Sequence, residues 1–165
     1  MINGKSISSC PLFRNLDQEE RARILAIGEP RGYRAEQVIF REGEPGDGMF
    51  IVVSGTVRIS KHTVTGEEAL AILEANSFFG EMALIDFLPR AADAIANTDA
   101  EVFFIPLAEL RTLLETSHQM AGRVLFALCE VLTQRLRETN DRLMSVFTLA
   151  QWGGGGLHND LIPLP

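Results

Sequence analysis

Apolar and polar positions along the chain change period twice. Asp17-Gln18-Glu19-Glu20 opens a short helix, with Asp17 as cap and Glu20 where a capping-box partner would stand. The apolar positions Ala22, Ile24, Leu25 and Ile27 follow, and Gly28 and Pro30 stop the helix. From Arg31 to Ile105 short β-rich runs alternate with turn residues. The runs are Val38–Phe40, Met49–Val53, Thr56–Ser60, Ala69–Leu73, Ala91–Ala96 and Val102–Ile105. Between them lie Gly43-Glu44-Pro45-Gly46-Asp47-Gly48, Ser54-Gly55 and Thr65-Gly66. This spacing predicts a small antiparallel barrel or jelly roll. Ser54-Gly55 reads as a two-residue hairpin turn, because glycine accepts a positive φ without cost.

Pro106 starts a second helical region, at a position where proline forfeits no hydrogen bond. Leu107, Leu110, Leu113 and Leu114 keep helical spacing. One long helix is expected from about Ser117 to Ala150, with Gly122 as its only glycine. Along it Cys129, Leu136, Leu143 and Ala150 recur every seven residues, as do Leu125, Leu132, Thr139 and Val146. Such a seam lies either on the barrel of its own chain or against a second copy. The homodimer is the sharper expectation, since the helix is too long for one small barrel to cover. Thr139 interrupts the apolar column beside Asn140, so it either sets register or meets a ligand.

The 165 residues suffice for one domain, here residues 1–150, followed by a Gly-rich flexible tail over 151–165. The net charge of −7 (15 Lys and Arg against 22 Asp and Glu) argues against a general nucleic-acid binder. A small anion needs only one local cation and stays possible. Two cysteines, Cys10 and Cys129, exclude a disulfide scaffold. No apolar run is long enough for a membrane span, and no signal peptide opens the chain, so a cytoplasmic location is expected. His62, His118 and His158 are dispersed, so neither a metal site nor an enzyme is expected.

The chemistry concentrates in Phe78-Phe79-Gly80-Glu81-Met82-Ala83-Leu84-Ile85-Asp86-Phe87-Leu88-Pro89-Arg90-Ala91-Ala92. A strand ends at Phe79, and Gly80 permits a tight turn. Glu81–Asp86 forms a turn or two of helix whose first amides suit an anion. Pro89 ends it and Arg90 begins the return strand. Arginine can hold a phosphate with two parallel bonds, and Glu81 can accept from a hydroxyl. On residue types alone, a structural turn in which Glu81 and Arg90 pair with each other is the leading reading.

The order of these residues closely resembles the phosphate-binding cassette of cyclic-nucleotide-binding domains. That family includes catabolite activator proteins and regulatory subunits of cyclic-AMP-dependent protein kinase. Ile39-Phe40-Arg41-Glu42-Gly43-Glu44-Pro45-Gly46-Asp47 through Met49–Val57 resembles the family's glycine turn and hairpin. The likeness runs from about Leu12 to Leu149. It implies a mostly β fold with flanking helices: a double-stranded β-helix (jelly-roll) β-roll over about 31–105, a cassette over 78–92 and a long C-terminal helix over about 117–150. It implies a non-catalytic regulatory sensor with no cofactor and a cyclic nucleotide as ligand. Arg90 would hold the cyclic phosphate with backbone amides near Gly80, Met82, Ala83, Ala91 and Ala92, and Glu81 the ribose 2′-hydroxyl. Ala91 carries no hydroxyl, which favours cyclic AMP over cyclic GMP. Leu70 and Leu73 would line the base pocket, with Thr139 and Asn140 reaching the adenine from the long helix.

Three positions depart from the family pattern: Asn76 and Glu36 stand where glycine is usual, and Asp93 where Thr or Ser is common. An inward-facing Asp93 would repel the phosphate. The sequence has about fifteen residues beyond the long helix, so DNA reading through a helix-turn-helix is not expected. The signal would leave through helix movement toward a homodimer or an unidentified effector protein. The rival expectation is a structural dimerisation module whose nucleotide pocket is degenerate.

Overall fold

The computed structural model describes residue 7 and residues 9–153, with side chains to residue 150. Of the tail expected over 151–165, residues 151–153 belong to the last helix and the rest lies outside the described residues. The chain divides into two units, Met1–Leu128 and Cys129–Pro165.

In the first unit a short 3-10 turn, Pro11–Phe13, precedes α1, Gln18–Ile27. Asp17 caps α1 as expected: its carboxylate accepts the Glu20 N–H at 2.9 Å, and Glu20 accepts the Asp17 N–H at 3.0 Å. Eight strands follow: β1 Glu29–Tyr33, β2 Val38–Phe40, β3 Gly48–Ser54, β4 Val57–Thr63, β5 Gly66–Leu73, β6 Phe78–Phe79, β7 Asp93–Ala96 and β8 Ala100–Pro106. A short α2, Met82–Ile85, lies between β6 and β7. After β8 come α3, Leu107–Glu115, and α4, His118–Gly153.

All pairing is antiparallel and nested. β1 pairs with β8, β2 with β7, β3 with β6 and β4 with β5. A single long hairpin rolled upon itself gives this order, and the result is a jelly roll of two four-stranded sheets, β1-β8-β3-β6 and β2-β7-β4-β5. The core between the sheets holds Phe50, Val52, Val57, Phe79, Ala94, Ala96, Ala100, Val102 and Phe104. Small alanines on β7 leave room for phenylalanines opposite. Phe50 stacks on Phe79 at 5.0 Å between centroids, and Phe40 and Phe104 tilt against Phe50 at 5.7 and 5.1 Å. Such contacts add roughly 1 kcal/mol each beyond their burial.

Ser54-Gly55 is not a hairpin turn. β3 and β4 belong to different sheets, so the chain crosses from one layer to the other there. Gly55 is still required: its φ is 73°, and a Cβ would lie 2.1 Å from the Asp99 carbonyl oxygen. The strand β1 was hidden in sequence because Gly28 and Pro30 resemble helix stops. Pro30 is tolerated because β1 is an edge strand. Asn76 and Glu36 both adopt the left-handed conformation, with φ of 71° and 64°. Both positions where the resemblance implies glycine thus take a conformation that favours glycine.

The first turns of α4 bury Met120, Val124, Ala127 and Leu128 at helical spacing. In the second unit α4 continues with Leu136, Leu143 and Val146 exposed. Thr139 does not leave an unsatisfied hydroxyl in that seam, because its Oγ1 donates to the Arg135 carbonyl at 2.8 Å.

Candidate functional site: a cassette closed over a buried arginine

The cassette begins where β6 ends. Gly80 has φ of 76°, and a Cβ there would meet Arg90 Nη1 at 2.7 Å. The backbone disfavours a side chain at this corner, and an added Cβ would push the Arg90 guanidinium aside. Glu81 follows at the cap of α2 and is buried. Ala83 is buried beneath the helix and Met82 is half exposed. The Asp86 carboxylate accepts the Leu88 N–H at 3.0 Å, which turns the chain back toward Pro89 and Arg90.

Arg90 sits below this turn with only 2% of its side chain exposed. Nη1 donates to the Gly80 carbonyl at 3.1 Å. Nη2 donates to the Gly48 carbonyl at 2.8 Å and to Asp47 Oδ1 at 3.0 Å. The guanidinium lies over the Phe40 ring, 4.1 Å from its centroid. Arg90 Nε is buried and has no hydrogen-bond partner among the described residues. Burial pushes the pKa of Arg90 below its ordinary value, while Asp47, Glu44 and Glu81 pull the other way. The result is a desolvated cation, incompletely satisfied, at the foot of a glycine turn.

The main chain of Arg90 is held as firmly. Gly43 N–H donates to the Arg90 carbonyl, and Arg90 N–H donates to the Glu44 carbonyl, both at 2.9 Å. This reciprocal pair commits Arg90 to the glycine turn rather than to a strand ladder. Consequently the return strand starts at Asp93, not at Arg90 or Ala91. Ala91 is exposed and Ala92 half-buried in the bend between them. The hydrogen bonds of Arg90 thus go to Asp47 and two carbonyls, an arrangement different from a simple Glu81–Arg90 turn.

Gly80, Glu81, Met82, Ala83, Arg90, Ala91 and Ala92 therefore gather around one turn of the first unit. Leu73 packs against the roll's core. Leu70 is 45% exposed on β5, as the extra residue where the register with β4 shifts between Ile59 and Ser60. Thr139 and Asn140 are exposed on α4, in the second unit. Two contributors were missed in sequence. Asp47 stood inside the glycine turn without an assigned role. Arg111 on α3 donates from Nη2 to the Ala83 carbonyl at 2.5 Å and stacks on Phe87 at 4.0 Å. A lone arginine on an amphipathic helix gave no signal of this.

Residues 30–117 match the family described as the cyclic nucleotide-binding domain. The chain belongs to this family. A "CRP-like cAMP-activated global transcriptional regulator" of Mycobacterium tuberculosis is 29% identical over 139 residues, which are 83% of this chain and 60% of that protein. A "cAMP-dependent protein kinase regulatory subunit" of Mycosarcoma maydis is 35% identical over 108 residues, 64% of this chain and 21% of that one. The chain thus spans three fifths or less of these two relatives. The crystal structure of a cyclic nucleotide-binding domain from Methylobacillus flagellatus aligns with a TM-score of 0.81 at 23% identity, over 96% of this chain and 86% of that one, and shares the fold. Among the described residues no group of His, Cys, Asp or Glu is placed to hold a metal, and no helix is long and apolar enough to cross a membrane.

Asp93 of the domain does not face the core. Ala94 and Ala96 point inward, so strand alternation sets Asp93 on the opposite face. There its Oδ1 accepts the Glu42 N–H at 2.6 Å, and its Oδ2 lies 3.4 Å from His62 Nε2 and 3.7 Å from Arg41 Nη1.

Proposed function

We propose that this domain is a sensor for cyclic AMP. Arg90 holds the cyclic phosphate together with amides of the Gly80–Ala83 turn and of Ala91 and Ala92. Glu81 accepts the ribose 2′-hydroxyl. The observation that carries this reading is the Arg90 guanidinium, buried with Nε unpartnered beneath a tight glycine turn. A buried cation with an unused donor is a standing demand for an anion. Cyclic AMP is favoured over cyclic GMP because Ala91 has no hydroxyl, and because relatives in two different protein classes carry cyclic AMP in their names. Leu73 and Leu70 are the candidate apolar contacts for the base.

Binding fixes α2 against Arg90 and shifts the population of α4 positions, provided the ligand has different affinity for the two states. The exposed Leu136, Leu143 and Val146 make α4 the surface through which a second copy receives that shift. A pocket degenerated by Asp93 loses its support, since that carboxylate faces away from the core.

The test is thermal unfolding of wild type and Arg90→Ala with and without cyclic AMP. A ligand at 100 times its Kd stabilises by about 2.7 kcal/mol. Wild type is expected to show this gain and Arg90→Ala none. An equal gain in both proteins would overturn the assignment of Arg90.

A further inference from the structure

The pairing of β2 with β7 ends at Phe40 and Ala94. Three residues on, Gly43 and Glu44 take hold of the Arg90 main chain. Between these two anchors the backbone ladder is broken, and the Asp93 side chain spans the gap. Its Oδ1 accepts the Glu42 N–H at 2.6 Å. The Asp93 side chain is 4% exposed, although the Glu42 residue it grips is on the surface. Arg41 and His62 flank its Oδ2, and the neighbouring Lys61 is engaged by Glu42 at 2.9 Å.

We propose that Asp93 is a positioning residue for nucleotide binding: it fixes the 42–48 loop, and that loop in turn fixes Arg90. The loop supplies four of the five hydrogen bonds that hold Arg90, two to its main chain and two to its guanidinium through Asp47 and Gly48. A loose loop leaves the guanidinium to be ordered at the moment of binding, and that ordering subtracts from affinity. The polar partners of Asp93 are Glu42, Arg41 and His62, so its reach to Arg90 runs through the loop. A charged acceptor is suited to this place, because a hydrogen bond to a carboxylate is roughly twice as strong as a neutral one. The acid that would be harmful facing a phosphate is, on this face of β7, a clamp on the arginine that binds it.

The inference rests on the cyclic-AMP reading for its affinity arm, and on the fold alone for its exchange arm. Hydrogen exchange at the Glu42 and Gly43 amides is measured without ligand in wild type, Asp93→Ala and Asp93→Asn. Cyclic AMP titration is run on the same three proteins. In wild type the surface amide of Glu42 should exchange as slowly as those of β2. Asp93→Ala should speed both amides and weaken cyclic AMP by about tenfold, the scale of one lost hydrogen bond to a charged group. Asp93→Asn keeps a neutral acceptor and should recover about half of each effect on the free-energy scale. An unprotected Glu42 amide in wild type would overturn the clamp, whether or not Asp93→Ala folds. Equal affinity of Asp93→Ala and wild type would overturn its role in binding. Absence of cyclic AMP binding in wild type would instead contradict the functional reading, while the exchange arm would still decide the clamp.

Discussion

Removing the charge partner of Arg90 probes the strongest electrostatic feature of the domain. Asp47→Asn keeps an acceptor near Nη2 but deletes the carboxylate that sits at 3.0 Å. For charges about 4 Å apart, Coulomb's law gives about 4 kcal/mol at a dielectric of 20 and about 1 kcal/mol in bulk water. Arg90 is 2% exposed but Asp47 is 70% exposed, which moves the pair toward the watery limit. The expected coupling is therefore about 1–2 kcal/mol. It is isolated by a double-mutant cycle of Asp47→Asn, Arg90→Met and the double variant, followed by urea unfolding. With a slope of about 1.5 kcal/mol per molar, Asp47→Asn alone should lower the midpoint by about 1 M. Arg90→Met should make the Asp47 substitution nearly neutral. A coupling within about 0.3 kcal/mol of zero would refute the claim that Asp47 stabilises a buried cation, since independent sites add to that accuracy.

Gly80→Ala forces a left-handed alanine and drives its Cβ toward Arg90 Nη1. It should cost about 1–2 kcal/mol in denaturant unfolding and should weaken cyclic AMP binding as well. Arg58 donates to Glu36 and holds its carboxyl below the ordinary value of 4.5. A lowered folded pKa stabilises above 4.5 and is lost as pH falls through the folded value. Glu36→Gln should therefore be less stable than wild type at neutral pH and indistinguishable from it in strong acid, as read by unfolding midpoints across pH. Leu132→Asp combined with Leu143→Asp should give a monomer by light scattering, where the wild type is expected as a dimer. A monomeric wild type at high concentration would remove the seam as an interface.

The alternation of short apolar runs with glycine turns was enough to predict the roll, because strands have a period of two and their turns use few residue types. Nested pairing of first strand with last was not readable. Two-residue β6 and proline-bearing β1 lack a periodic signal, and the Ser54-Gly55 step looks alike in a hairpin and in a crossing between sheets. The cassette was visible as an ordered string, since Gly80, Glu81 and Arg90 lie within one local turn. The partners of Arg90 were harder. Asp47, Gly48 and Gly43 come from a loop some forty residues earlier, and the two glycines use main-chain groups, which nearly every residue has. The face taken by Asp93 depended on the register in which β7 pairs with β2 and β4. A shift of one residue in register exchanges the two faces of a strand, so sequence alone left the sign of its effect open.

Isothermal titration of the wild-type protein with cyclic AMP and with cyclic GMP bears most directly on the proposed function. Saturable binding of cyclic AMP with a Kd well below about 1 mM, tighter than that of cyclic GMP, is the expected result; 1 mM corresponds to only about −4 kcal/mol. No binding of either nucleotide below that concentration would contradict the assignment of Arg90 as a phosphate-holding cation.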